Sequence, residues 1–177
     1  MKKLFIITFC LLLTACSNST PTPTSDSSSK STSSINNKVQ LTLVEPPQNA
    51  GYTEELINHV KQVIEEHPSM VEDGKASMNY ADATYTLEGK EYAVFLFSNR
   101  SSQTVDRSIS FDLSWSYDSQ VVFEKQKVLY NHNNRGDLET NQVALMMLEI
   151  TPEQKGVIDK MNDPKKMKIE ISNLNVE

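Results

Sequence analysis

At 177 residues, with 17 basic and 23 acidic side chains, the chain carries a formal charge of −6, which disfavours nucleic acid and anionic lipid surfaces as partners. Its two cysteines, Cys10 and Cys16, both stand near the N-terminus, so disulfides, thiol catalysis and thiolate metal sites are excluded from everything that follows them. The rest is one domain's worth of chain, without a repeat at a fixed period and too short for a two-lobed solute-binding protein.

The chain opens Met1-Lys2-Lys3, continues with an apolar run from Leu4 to Leu13 broken only by Thr8, and then reads Leu13-Thr14-Ala15-Cys16. Positive residues, a short apolar stretch and small residues before a cut are the order of a secretory signal. The run is too short to span a bilayer. The box Leu13-Thr14-Ala15-Cys16 resembles the lipobox of bacterial lipoproteins. That resemblance implies a diacylglycerol thioether on the Cys16 sulfur, cleavage before it, and a membrane anchor on the extracytoplasmic face, where two acyl chains hold stably and one does not. The loss of Lys2 and Lys3 with the leader would take the formal charge from −6 to −8. No cofactor is expected beyond this covalent lipid.

From Ser17 to Lys38 the chain is mainly Ser, Thr, Pro and Asn, with Ile35 the apolar exception. Such a composition cannot bury enough surface to offset chain entropy. It reads as a disordered tether of about 20 residues, reaching at most ~65 Å and averaging ~25 Å as a coil. The expected organisation is therefore a signal peptide over 1–15, a lipidated Cys16 with its tether over 16–38, and a domain over 39–177.

Val39 to Val44 suits a strand, stopped by Pro46-Pro47. Leu56, Ile57, Val60, Val63 and Ile64 then recur at helical spacing, with Thr53 as N-cap, Glu54 and Glu55 in the first turn and Pro68 as the stop. After Gly74 the period becomes two. Met78 to Leu87 and the continuously apolar Tyr92 to Phe97 predict a hairpin turning at Leu87-Glu88-Gly89-Lys90, the second strand covered on both faces. Ile109, Phe111, Leu113, Trp115 and Tyr117 alternate with Ser108, Ser110, Asp112, Ser114 and Ser116, which predicts a strand with one wet face before a turn at Asp118-Ser119. Further strands are expected at Val121 to Tyr130, Gln142 to Ile150 and Met167 to Ile171. A short helix between the last two starts at Thr151-Pro152-Glu153-Gln154, which supplies an N-cap, a proline at N1 and a capping-box Gln.

Six or seven strands with turns every 10 to 15 residues favour a mostly β fold. The expected architecture is an immunoglobulin-like antiparallel β-sandwich with a leading amphipathic helix and one short late helix. A helix ahead of a sandwich, with an apolar strand ending in Asn (here Tyr92-Ala93-Val94-Phe95-Leu96-Phe97-Ser98-Asn99), resembles small Firmicutes envelope lipoproteins and immunoglobulin-like S-layer-assembly accessory modules. The likeness covers roughly residues 53 to 150, and the Pro-Trp that those modules carry near the final strand is missing here.

Asn131-His132-Asn133-Asn134-Arg135-Gly136-Asp137 contains the Arg-Gly-Asp tripeptide that integrins recognise on exposed tips, and His132, Arg135, Gly136 and Asp137 form the candidate binding loop. Asn, Gly and Asp are equally what a turn needs for positive φ and Asx bonds. An EF-type calcium loop is rejected, because Arg135 stands where an oxygen ligand belongs and Gln142 replaces the closing Glu. His67, Met70, Met78, Met146 and Met147 raise a copper reading, but neighbours on a strand face opposite ways, so Met146 or Met147 must be core. His59 reads as a partly exposed helix histidine. The acid pairs Glu54-Glu55, Glu65-Glu66 and Glu72-Asp73 read as solvated. Lys165, Lys166 and Lys168 read as protection of a strand edge, with contact to an anionic wall polymer as the alternative.

No Gly-x-Ser-x-Gly elbow or His-Glu-x-x-His motif occurs. The expected function is therefore a non-enzymatic binding or assembly module of the cell envelope, held to the membrane by its lipid and meeting another envelope protein or a wall polymer. The alternatives are an envelope hydrolase using His132 or His59, and a weak copper carrier.

Overall fold

The computed structural model describes residues 40–47, 50–68, 70–71 and 73–177, all within one unit, Asn37–Glu177. The leader, Cys16 and the tether lie outside the described residues. Among the described residues, seven strands form two sheets. The first has the order β1-β6-β3-β2, from β1 (Thr42–Leu43), β2 (Ala76–Leu87), β3 (Lys90–Asn99) and β6 (Gln142–Ile150). The second has the order β5-β4-β7, from β4 (Ile109–Tyr117), β5 (Gln120–Tyr130) and β7 (Met167–Val176). All pairings are antiparallel except that of β1 with β6, which is parallel.

Two cores follow from the alternation of side chains along β3 and β6. Ala93, Phe95 and Phe97 of β3 and Ala144, Met146 and Leu148 of β6 meet Phe111, Leu113, Trp115, Phe123 and Val128 of the second sheet. The opposite faces of the same strands, carrying Val94, Leu96, Val143 and Leu145, are covered by Leu56, Val60 and Ile64. Those three residues form one stripe of α1 (Glu54–Glu66), which starts at Thr53, whose side chain accepts from the Leu56 N–H at 3.3 Å. The molecule is thus helix on sheet on sheet. Met146 and Met147 fall on opposite faces, each in a core.

Turn chemistry sets both hairpins. Glu88 and Gly89 have φ 51° and 79°, and Asp118 and Ser119 have φ 48° and 68°, the paired positive values that a two-residue reversal between twisted strands requires. Asn99, fully buried at the end of β3, donates to the carbonyls of Gln103 and Leu138 (both 2.8 Å) and accepts from the Ser101 N–H (3.0 Å) and hydroxyl (2.7 Å). Every hydrogen-bonding position of this amide is engaged, as a buried polar group requires.

The differences from expectation are local. β1 is only two residues long. β7 runs beyond Ile171 to Val176, with Asn173 (φ 51°) in a bulge opposite β4. The loop after β5 contains one helical turn, α2 (His132–Arg135), and the late helix α3 (Pro152–Ile158) is followed by a 3-10 turn at Pro164–Lys166. The Thr151 capping box of α3 forms with both bonds present.

Candidate functional site

A cavity of about 500 Å³ opens where α1, the middle of β2, the end of β4 and the α3–β7 connection meet. Its volume lies within the roughly 300–1,000 Å³ usual for small-molecule sites. From α1 come His59, Gln62, Val63 and Glu66, a stripe at i, i+3, i+4 and i+7 beside the one that packs on the sheet. From β2 come Tyr80, Ala81 and Asp82. Three consecutive strand residues line one wall because the ladder with β3 breaks between Tyr80 and Thr84, with Asp82 at φ 53°. The bulge turns the chain locally.

The same bulge docks the helix. His59 Nε2 lies 2.9 Å from the Ala81 carbonyl oxygen, and since a carbonyl can only accept, that bond places the ring proton on Nε2. On the opposite wall the Tyr117 hydroxyl donates to Asn162 Oδ1 (2.8 Å) and accepts from the N–H groups of Asn162 (3.1 Å) and Asp163 (3.3 Å). This one side chain positions the Met161–Pro164 segment at the mouth. Asp163 also caps the following turn through the Lys165 N–H at 3.0 Å. Burial, and then the Asp82 and Asp159 carboxylates, push the Tyr80 hydroxyl well above the usual phenol range, so it stays protonated. Tyr80 stacks at a tilt on Trp115, ring centres 4.7 Å apart. Apolar walls with a few placed polar groups can hold an organic molecule and orient its polar end.

The Arg-Gly-Asp loop is arranged differently. The Arg135 guanidinium donates to the Leu145 carbonyl at 2.8 Å, on β6 beyond its short pairing with β1. The Tyr130 hydroxyl donates to the Gly136 carbonyl at 2.9 Å, and His132 Nε2 lies 2.7 Å from Asp137 Oδ1. Arg135 and Asp137 are therefore both engaged within the domain. The Ser108 hydroxyl meets the His132 backbone N–H at 3.1 Å, and the Glu139 N–H donates to Gln142 Oε1. Lys166 reaches Asp118 at 3.4 Å and Lys168 reaches Glu170 at 2.9 Å.

Among the described residues, no group of three His, Cys, Asp or Glu is placed to hold a metal, and no helix is long and apolar enough to cross a membrane. Reading the sequence singled out His59 and His67 but missed Tyr80, Asp82, Tyr117 and Asp163, which come from separate segments between positions 80 and 163. A faint signal did exist. His59 sits at the edge of the apolar stripe of α1, where a side chain borders both core and solvent. No family model, curated protein or solved structure matches the chain.

Proposed function

We propose that this chain is a lipoprotein of the bacterial cell envelope, anchored through Cys16 on the extracytoplasmic face, whose domain acts by binding rather than by catalysis. The observation that carries this is the order of Lys2-Lys3, the apolar run to Leu13 and the box Leu13-Thr14-Ala15-Cys16, followed at once by the Ser/Thr/Pro segment. The lipid is the membrane contact, and the cavity beside α1 is the ligand site. An envelope protein or wall polymer is the partner class.

The domain is an immunoglobulin-like sandwich in this reading. Support comes from strand order: β2-β3-β6 and β5-β4-β7 correspond to the A-B-E and C′-C-F pairings of that fold. Fold alone assigns no function.

Growth with radioactive palmitate tests the anchor. Wild-type protein is expected to take up label and remain in the membrane fraction, and Cys16→Ala to lose both; label retained by Cys16→Ala would overturn the reading. Crosslinking of intact envelopes tests the binding role, with a partner expected that is lost when residues 39–177 are deleted.

A further inference from the structure

The chemistry of the cavity walls goes further, and it rests on the reading of this cavity as a ligand site, not on the Cys16 anchor. We infer that it takes a small soluble organic cation: an ammonium head carried on an apolar or aromatic body. The apolar share of the wall comes from Val63, Ala81, Met161, Pro164 and Met167, and methionine adapts to irregular ligand shapes. Two aromatic rings, Tyr80 and Tyr117, stand among them, and a ring face attracts a cation.

Charge selects the sign. Among the described residues, three carboxylates, Glu66, Asp82 and Asp163, line the cavity, and no Lys or Arg does. Lys166, nearby in the chain, is drawn away to Asp118 at 3.4 Å. The C-terminal turn of α1, from Gln62 to His67, contributes to the same wall and holds no Lys or Arg to offset its carbonyls. That end of a helix carries about half a negative charge. An anionic ligand would meet three carboxylates and a helix C-terminus with no Lys or Arg among the described wall residues to offset them. A cation would meet complementary charge, tyrosine rings and thioethers along these same walls.

The test uses the full chain in nonionic maltoside micelles, with methionine methyl groups labelled by carbon-13. Benzyltrimethylammonium is the probe and phenylacetate the anion of matching ring size. Saturable shifts are expected at the Met161 and Met167 methyls with the cation, while Met78 and Met146, buried between the sheets, stay in place and phenylacetate moves none of the four. The double variant Asp82→Asn/Asp163→Asn keeps an amide able to occupy the positive-φ position and to cap the turn. It is expected to weaken the probe about tenfold, the scale of one charge-assisted contact. Glu66→Gln, exposed on α1, repeats the test with neither cap nor turn at stake. Equal binding of phenylacetate, or undiminished binding of the cation by both variants, would overturn the charge assignment and leave a ligand site. Met161 and Met167 methyls indifferent to both probes would overturn the ligand site itself.

Discussion

Apart from the two-residue β1, the four-stranded and three-stranded sheets are built from strands of similar length but bury them differently. β3 lies between α1 and the second sheet, and seven successive residues from Ala93 to Asn99 are buried. β4 has a neighbour on one face only, and its burial alternates from Phe111 to Tyr117. One strand therefore contributes to two cores and the other to one, so a slip in register would expose β4's apolar set but would move β3's residues from one core into another. Uniqueness in β3 has to come from its ends, where Asn99 is satisfied in one arrangement.

The sharpest way to break this contrast is to truncate neighbouring residues of β3. Phe95→Ala empties the inter-sheet core beside Trp115 and Tyr80 and is expected to cost about 4 kcal/mol. Leu96→Ala empties the core beneath α1 and is expected to cost about 3 kcal/mol. Denaturant unfolding of both measures the two cores separately. If they are independent, the double variant adds the two losses; a shortfall would show that α1 has already loosened.

Asn99→Ala tests the strand end. It leaves the carbonyls of Gln103 and Leu138 without this donor and is expected to cost about 2 kcal/mol, with faster hydrogen exchange at Val105 and Leu138, whose bridge it supports. Thr53→Ala, at the start of α1, is expected to cost about 1 kcal/mol and to fray the helix without changing the far-ultraviolet β signal.

The smallest effect belongs to the wet face. Asp112 on β4 accepts from Asn173 at 2.7 Å and has Lys127 at 3.6 Å, and the Asn173 bond, ahead of the lysine, lowers its pKa. With the folded value below the unfolded one, the contribution is present above the unfolded pKa and lost as pH falls through the folded one. Acid titration of wild type against Asp112→Asn is expected to show a small difference in stability at neutral pH that closes at the acid end.

How much of this was legible varies with the physics of each segment. The alternation of β4, the continuous run of β3 and the caps of α1 and α3 are local signals, and each element lies where its residues predict. β7 extends past Ile171 because pairing with β4 carries it on through Asn173 and Asn175, polar residues with no hydrophobic period to read. Its later apolar residues, Leu174 and Val176, are 59% and 52% exposed. β1 is cut to Thr42 and Leu43, and Arg135 takes the next β6 carbonyl along, that of Leu145, a competition between distant groups that composition does not reveal. The cavity was the least legible feature. It depends on a bulge at Asp82 and on a tyrosine, Tyr117, bonded to a segment 45 residues away, neither of which has a sequence signature.

The parallel pairing of β1 with β6 has a mechanical consequence. Tension applied from the N-terminal side enters the domain at β1, which is joined to its neighbours through the Thr42 N–H to Asn141 (2.9 Å) and the Val44 N–H to Val143 (2.8 Å). This short pairing meets the load before α1 does, whereas the antiparallel ladder of β3 and β6 runs the full nine residues of β6. A pull from that end would detach β1 first, drawing Leu41 and Leu43 out of the core beneath α1 before the ladder of β3 and β6 is loaded.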